Sequence, residues 1–353
     1  MSSEAGGGAA YAYTPHDRDP TLLEPFTYID SIKGKDVRGK LIDAFQHWIQ
    51  APEERIVQIK EIISALHNAS LLVDDIEDGS QLRRGVPVAH AIFGVPMTLN
   101  SANYMYFIAL EQCHQLGSRR ATDVFVSELL NLHRGQGQEI VWRDRVQCPT
   151  EAQYTAMVLD KTGGLFRLAV GLMQAFEGGG CEASAPPIDG ASAPCPPDPL
   201  GSATSSSGAP PASASPPSPP SPSRDYAPLT NKLALYFQIR DDYINLLSDA
   251  YMKSKSFCED LTEGKFSYPI IHAVRARADD TRLVNILKQR TEDVHVKQHA
   301  VDFMRSLGSF DYTRATLRRL RCEVDEEIAK LGGHAKVRRG RSCSHRIHRI
   351  VGC

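Results

Sequence analysis

The sequence lacks the features that define several protein classes. Its formal net charge of −2 argues against binding nucleic acid or anionic membranes through bulk electrostatics. Its eight cysteines form no C-x-x-C pair, which predicts free thiols in a reduced compartment, the cytoplasm. There is no basic start followed by an apolar run, as in a signal peptide, and no run of roughly 18–20 apolar residues, as in a membrane helix. We therefore expect a cytoplasmic protein with no nucleic-acid partner and no transmembrane segment.

Strand-like alternation is almost absent as well, which leaves helices as the main element. Residues 36–50 place Val37, Leu41, Phe45 and Trp48 on one helical stripe, and this spacing recurs along most of the chain. Thr150-x-x-Gln153 is the capping-box pattern that opens a helix. The sequence predicts an all-α fold.

Composition divides the chain into four kinds of segment. Residues 1–20 are expected to be a disordered lead, and residues 21–331 a single domain. Residues 178–223 are nearly all Gly, Ala, Ser and Pro, so they cannot bury enough apolar area to offset their ordering entropy. We predict that they form a disordered insertion that loops out of the domain. Residues 332–353 form a basic tail without an amphipathic stripe.

Two acidic clusters, 74–78 (DDIED) and 241–245 (DDYIN), lie within apolar helical segments. Because side chains four residues apart share a helix face, Asp74 and Asp78 point the same way. A single cluster of this kind is more often a solvated face, but a charged pair within YFQIRDDYINLL would be costly without cations. Hard divalent cations take oxygen ligands from carboxylates and substrate phosphates. The clusters therefore predict a site for divalent metals and a polyanion.

Cationic residues follow both clusters. Arg83 and Arg84 come after the first, and Lys255 and Lys265 after the second. Each could be surface charge, yet their shared placement favours phosphate contacts. Residues 161–164 (KTGG) add an ammonium and a hydroxyl, and their paired glycines indicate either a local kink or a close helix crossing.

Several long stretches resemble the trans-prenyltransferases of the isoprenyl diphosphate synthase family, most closely the animal and fungal geranylgeranyl diphosphate synthases. These stretches are LHNASLLVDDIEDGSQLRRGVPVAH, GQGQEIVWRD, DKTGGLFRLAVGLMQ, YFQIRDDYINL and KSFCEDLTEGKFSYPIIHA. The resemblance covers about residues 22–331 apart from the insertion. It implies an isoprenoid synthase helical bundle around a deep central cavity, with the two acidic motifs facing each other, and a homodimer or higher homo-oligomer.

The resemblance also implies a reaction. Isopentenyl diphosphate is condensed head-to-tail with dimethylallyl, geranyl or farnesyl diphosphate to give geranylgeranyl diphosphate. About three Mg²⁺ ions assist ionisation of the allylic diphosphate. Carried over by motif, the metals are served by Asp74, Asp75, Asp78, Asp241 and Asp242, with Asp74, Asp78 and Asp241 as metal ligands. The allylic diphosphate is held by Arg83, Lys161, Thr162, Gln238, Lys255 and Lys265, and isopentenyl diphosphate by Lys35, Arg38, His67 and Arg84.

Product length is implied by side-chain size near the first motif. Ala69 and Ser70 are small, so they leave room for a growing chain. Tyr106, Phe107 and His133 are candidates for the cavity floor by resemblance, although each could equally be ordinary core packing. Together these residues favour a C20 product.

Three other functions stay open from the sequence. A terpene cyclase usually replaces the second acidic motif with an Asn/Ser/Glu triad, which residues 241–245 do not match. A head-to-head synthase would not need the expected isopentenyl diphosphate site. A non-catalytic partner subunit would be expected to lose one acidic motif, and both are present. The sequence departs from the family in two places. The 178–223 insertion occupies a connection that is short in relatives. The tail after Gly333 replaces a final helical segment that in the family helps to cover the site mouth.

Overall fold

The computed structural model of the chain describes residues 16–32, 34, 36–179, 224–247 and 257–332. These residues form fourteen α-helices, one 3-10 helix (Glu177–Gly179) and one antiparallel hairpin. The helices are α1 (Asp19–Leu22), α2 (Glu24–Ser31), α3 (Val37–Ile49), α4 (Glu53–Asp78), α5 (Ala89–Phe93), α6 (Val95–Gln115), α7 (Arg119–Asp144), α8 (Glu151–Gln174), α9 (Ala227–Leu247), α10 (Glu259–Glu263), α11 (Tyr268–Ala276), α12 (Arg282–Gln289), α13 (Val294–Ser306) and α14 (Ser309–Lys330). The strands are β1 (Leu82–Arg83) and β2 (Val86–Pro87). The all-α prediction is confirmed.

Local sequence signals account for the helix ends nearest the site. Thr150 opens α8 with a complete capping box, in which its hydroxyl accepts from the Gln153 backbone and Gln153 accepts from the Thr150 backbone. Gly79 ends α4 in the left-handed conformation, at φ +66°. The two-residue turn at Arg84 and Gly85 also has positive φ at both positions, as a tight hairpin requires. This turn brings Arg83 back towards the end of α4.

The core is built around α8. Helix α8 packs along α7 and α9 and also contacts α3 and α4, while α14 covers α9. Fully buried side chains such as Phe45, Leu66, Phe166 and Leu233 join these helices in one continuous cluster. Because α4, α7, α8 and α9 pack against one another in this core, polar residues on their facing sides can meet.

Glycines set the spacing between α7 and α8. A Cβ on Gly135 would lie 2.4 Å from the Lys161 backbone nitrogen, and one on Gly164 would lie 3.1 Å from the Glu128 carbonyl oxygen. Helix α8 continues as an α-helix through Gly163 and Gly164. The close-crossing explanation for Gly164 is therefore the correct one, and α8 does not break there.

Of the described helices, α4 alone has the length and mean hydropathy of a membrane span, and half of that stretch is buried inside the structure. Core helices pass the same test, so this is weak evidence for a membrane role. The sequence did not predict a helix of this hydropathy, because the apolar residues of α4 are numerous but do not form an uninterrupted run.

The predicted segment boundaries fall only partly within the described residues. The lead was expected to reach residue 20, yet Asp19 already begins α1, is buried and accepts a hydrogen bond from the Tyr104 hydroxyl at 2.9 Å. The insertion was expected to begin at residue 178, yet Gly178 and Gly179 belong to the 3-10 helix Glu177–Gly179. Residues 180–223 of the insertion and 333–353 of the basic tail lie outside the described residues, so the disorder of the insertion and the lack of pattern in the tail remain predictions.

Candidate active site

The carboxylates of the first acidic cluster point in two directions. Asp74 and Asp78 share the face of α4 that meets α7 and α8, where Lys161 Nζ lies 3.4 Å from Asp74 and Arg143 Nη1 lies 2.5 Å from Asp78. Asp75 points the other way, is 1% exposed and is paired with Arg83, whose Nε donates at 2.9 Å. The Asp75 contact therefore fixes Arg83, while Asp74 and Asp78 face the basic residues of α7 and α8.

The second cluster shows the same division. Asp242 is 1% exposed and accepts from the Tyr154 hydroxyl at 2.6 Å and the Tyr268 backbone nitrogen at 2.8 Å. Gln238 Nε2 donates to it at 2.9 Å, and Gln238 Oε1 in turn accepts from the Thr162 hydroxyl at 2.8 Å. Asp242 is thus surrounded by protein donors. Its neighbour Asp241 is partly exposed.

A third group of acids lies on α10, immediately before Lys265. Asp260 and Glu263 are buried, and the Asn245 side chain accepts from the Asp260 backbone at 3.2 Å. Asn245 therefore ties α10 to the second cluster. Glu263 acts electrostatically on both Asp78 and Asp260, so it lies close to the first motif as well as to its own helix.

One carboxylate on α7 connects the two motifs. Glu139 lies 2.5 Å from Lys161 and 3.7 Å from Lys265. Lys161 contacts Asp74, and Lys265 lies 3.8 Å from Asp242. The ion pairs therefore run continuously from the first motif to the second, across segments 168 residues apart in sequence, from 74 to 242.

These contacts keep the two lysines charged. Burial by itself lowers the pKa of Lys161, but the adjacent Glu139 and Asp74 carboxylates outweigh it and the net pKa is raised above its ordinary value. For Lys265, burial is likewise outweighed by Glu139 and Asp242, and its pKa is raised well above the ordinary range. Two ammonium groups are thus held side by side near neutral pH.

The remaining carboxylates are crowded in a way that suits a divalent cation. Burial, reinforced by Asp74 and Glu263, raises the pKa of Asp78 well above its ordinary value. Burial does the same for Asp260, whose Oδ2 is buried without a hydrogen-bond partner in the structure. No three His, Cys, Asp or Glu side chains among the described residues converge into a complete metal site. This donor set fits Mg²⁺, which commonly takes one or two carboxylates and completes its shell with phosphate oxygens and water.

A separate basic pocket lies beside α3, α4 and the hairpin. Burial and the neighbouring Arg84 charge lower the pKa of Arg38 to about 10. Burial, Arg38 and Arg84 lower the pKa of His67 well below its ordinary value. Arg38 Nε and His67 Nδ1 are buried without hydrogen-bond partners in the structure. Two neighbouring arginines beside a neutral imidazole, with unused buried nitrogens on Arg38 and His67, are arranged to receive an anion.

The sequence profile of the polyprenyl synthetase family matches residues 19–186 and 211–304. The chain belongs to this family. A protein named terpene synthase from Matsumurasca onukii is 48% identical over 90% of this chain and 91% of its own length. Geranylgeranyl pyrophosphate synthase dpmpD from Macrophomina phaseolina is 47% identical over 94% of this chain and 87% of its own. Geranylgeranyl pyrophosphate synthase from Dictyostelium discoideum is 43% identical over 92% and 93%.

The structure brings together most of the residues that the family resemblance indicated for diphosphate binding. Lys161, Thr162, Gln238 and Lys265 meet around Glu139 and Asp242, and Arg83 reaches the first motif through Asp75 and Asp74. Arg38, His67 and Arg84 form the basic pocket. Lys35 and Lys255 lie outside the described residues, so their roles remain predictions.

The predicted chain-length residues do not all lie together. Ala69 is buried in α4, and the Ser70 hydroxyl donates to the His67 carbonyl at 2.8 Å. The rings of Tyr106 and His133 are 5.8 Å apart between α6 and α7. Phe107, the next residue along α6, is 69% exposed. A side chain that points outward from the described chain is poorly placed to close its cavity.

Several polar residues around the site were not indicated by sequence reasoning, and three lie on one face of α7. Gln136 donates to Glu77 at 2.7 Å and to Asp74 at 3.2 Å, Glu139 holds the two lysines, and Arg143 pairs with Asp78. Their spacing of three and four residues within GQGQEIVWRD was the available signal. Tyr154 on α8 was also missed, because an isolated tyrosine in a helix usually packs in the core.

Proposed function

We propose that the chain is a geranylgeranyl diphosphate synthase, which condenses isopentenyl diphosphate head-to-tail with dimethylallyl, geranyl or farnesyl diphosphate. The observation that carries the proposal is the continuous run of ion pairs from Asp74 through Lys161, Glu139 and Lys265 to Asp242. This run places two ammonium groups between carboxylates suited to divalent metals. Relatives named geranylgeranyl pyrophosphate synthase, 43–47% identical over most of their length, support the product assignment.

Asp74, Asp78 and Asp241 would hold Mg²⁺, about three ions with the diphosphate bound. The metal ions supply charge that stabilises the leaving diphosphate. Asp75 and Asp242 contribute indirectly, because their carboxylates are occupied in holding Arg83 and Lys265. Burial raises the pKa of Asp78 most, and the Asp74 and Glu263 charges raise it further. Entry of divalent cations would relieve that repulsion between the carboxylates.

The allylic diphosphate would bind to Arg83, Lys161, Thr162, Gln238 and Lys265. As the allylic C–O bond breaks, negative charge grows on the diphosphate, and the two ammonium groups are already in place to meet it. Their raised pKa values ensure that both are charged at neutral pH. Charge that needs no reorganisation during the reaction lowers the barrier most.

Isopentenyl diphosphate would bind in the basic pocket formed by Arg38, His67 and Arg84. Its diphosphate would accept hydrogen bonds from the buried Arg38 Nε and from Nδ1 of a neutral His67 in the tautomer that carries its hydrogen there, and neither nitrogen has a partner in the structure. The double bond would then attack the allylic carbocation, which the apolar cavity expected for this family would shield from water. The proton that is lost passes to the departing diphosphate, so no protein base is required.

Product length would be set by the residues beneath the first motif. Ala69 and Ser70 leave the path of the growing chain open, and the Tyr106–His133 pair is suited to close it. Phe107 contributes less, since its side chain is exposed. We assign a C20 product on this basis.

Terpene cyclisation is the alternative, favoured by the relative named terpene synthase. The basic pocket argues against it, because a cyclase has no second diphosphate to bind. Incubating the purified protein with Mg²⁺, isopentenyl diphosphate and farnesyl diphosphate should yield geranylgeranyl diphosphate. A cyclic hydrocarbon formed from a prenyl diphosphate alone would favour the alternative.

Self-association is also proposed, through the outer face of α6. Val95, Leu99 and Phe107 are 44%, 40% and 69% exposed and share one side of that helix. Leu130 on α7 is 52% exposed as well. Exposed apolar side chains that share one helix face are candidates for an association surface. Sedimentation velocity should show a dimer or larger species that Leu99→Asp dissociates. A wild-type monomer at micromolar concentration would contradict the proposal.

The predicted cytoplasmic location is supported only by the thiols. Cys113, Cys148, Cys258 and Cys322 are all free, and no disulfide joins the described residues. Fractionation of cells that express the full chain would test the location.

A further inference from the structure

The close helix crossing explains why residue 164 is glycine, but it does not explain the glycine at 163. A Cβ on Gly163 would meet no backbone atom of another helix within 3.5 Å. Instead, it would lie 2.8 Å from Nη1 of Arg167, which is four residues further along α8. The Arg167 side chain therefore runs back along α8 through the space that a side chain at 163 would fill.

Arg167 uses this route to make contacts with three helices. Its Nε and Nη2 donate to the two carboxylate oxygens of Glu128 on α7, at 3.0 and 2.7 Å. Its Nη1 donates to the Leu159 carbonyl on α8 at 2.8 Å and to the Asn231 side chain on α9 at 3.0 Å. The Arg167 and Glu128 side chains are only 18% and 15% exposed. A largely buried guanidinium whose donors bind groups on three helices is a structural contact and not a surface ion pair.

The contacts converge on the turn that precedes the diphosphate-binding residues. Leu159 lies two residues before Lys161 on α8. Glu128 lies two helical turns before Gly135, which packs against the Lys161 backbone. Asn231 lies two turns before Gln238, which binds Thr162. The guanidinium thus links the three helices that together determine where Lys161 and Thr162 lie.

We propose that Arg167 is a positioning residue that aligns Lys161 and Thr162 for the allylic diphosphate, and that Gly163 is glycine to admit its guanidinium. The kinetic part of this proposal rests on the proposed function, whereas the role of Gly163 does not. Lysine cannot replace Arg167, because an ammonium lacks the planar fork that contacts Glu128 and Leu159 together.

The first experiment tests the geometry and needs no turnover. Melting temperatures are measured for Gly163→Ala, Arg167→Met and the double variant. Gly163→Ala should lower the melting temperature when Arg167 is present, and should leave it unchanged or raise it when Met occupies position 167, because alanine is the better helix former. Gly171→Ala is the matched control on α8: its Cβ would lie 2.6 Å from the Val124 side chain, so its effect should be the same in both backgrounds. An equal loss for Gly163→Ala in both backgrounds would overturn the assignment of Gly163.

The second experiment tests positioning. Arg167→Met and Arg167→Lys should each lower kcat by about 10- to 100-fold, the range expected for a displacement of about 1 Å. The KM for farnesyl diphosphate should rise severalfold, while the KM for isopentenyl diphosphate, bound by Arg38, His67 and Arg84, should be unchanged. Purely structural damage lowers the melting temperature and leaves both KM values alone, which would refute the proposal.

A binding measurement separates this proposal from the proposed function. Calorimetry with inorganic pyrophosphate and Mg²⁺ should show weaker binding to Arg167→Met than to wild type. If the wild type binds pyrophosphate but turns over no prenyl substrate, the proposed function fails, and weaker binding by the variant would still support the positioning role. Equal affinity in wild type and Arg167→Met would refute the positioning role.

Discussion

Replacing Gly135 with alanine should damage the site through helix packing alone. A Cβ there would lie 2.4 Å from the Lys161 backbone nitrogen and 2.9 Å from its Cα. Ordinary contact begins at 3.4 Å, so α7 and α8 must separate locally by about 1 Å. The obstacle is backbone, which cannot rotate away as a side chain can.

Two opposing energies set the expected change in stability. Overpacking a close contact costs about 1–3 kcal/mol, whereas replacing a helical glycine by alanine returns about 1 kcal/mol. We expect the free energy of unfolding to fall by up to about 2 kcal/mol. The separation also moves Lys161 away from Glu139 and from the diphosphate, so kcat/KM for farnesyl diphosphate should fall by up to about 100-fold.

The measurement compares two variants that strain the same pair of helices. Gly171→Ala presses on the Val124 side chain of α7, at a position on α8 nearly three turns beyond Lys161. It should lower the melting temperature while retaining the activity of the folded protein. Urea unfolding and steady-state kinetics on both variants check the expectation. If Gly135→Ala keeps full activity, or if both variants lose activity equally, the close approach at Gly135 does not place Lys161.

Three further predictions concern the metals, pH and product length. Asp241→Ala should abolish turnover and leave the circular dichroism spectrum unchanged, at a cost of at least about 2.7–4 kcal/mol in transition-state stabilisation; wild-type activity would remove Asp241 from the metal site. The folded pKa of His67 is below its unfolded value of about 6.5, so the unfolded chain binds the extra proton and stability is lost as pH falls from about 7 through the folded pKa. The melting temperature of His67→Gln minus that of wild type should therefore be larger at pH 5 than at pH 7. An equal difference at the two pH values would contradict the pKa shift. Tyr106→Ala should lengthen the main product, while the matched change Phe107→Ala at its exposed neighbour should not; chromatography of the dephosphorylated products distinguishes these outcomes.

Some features of the site are local and could therefore be predicted from the sequence. The i, i+4 spacing places Asp74 and Asp78 on one face of any helix, and Gly79 ends that helix wherever it packs. The capping box at Thr150 forms from two residues of the same turn. Such features depend on backbone geometry over a few residues, so they can be predicted without knowledge of the fold.

The different roles of the two carboxylates in each acidic pair could be assigned only from the tertiary structure. Residues 74 and 75 are both aspartates, yet Asp75 is buried against Arg83 while Asp74 faces Lys161. Asp242 is likewise occupied by Tyr154, a residue 88 positions away. Burial and partner decide whether a carboxylate can bind a metal, and both depend on what packs against the helix.

The role of α7 was decided by tertiary packing alone. Its motif GQGQEIVWRD contains two acids and one arginine, which could all have lain on a solvated face. Packing against α8 at Gly135 brings Glu139 between Lys161 and Lys265, which are supplied by two different segments. The sequence by itself determined which helices form and which of their faces carry charge. Only the folded bundle decided which charges meet, because ion pairs between distant segments depend on how closely their helices approach.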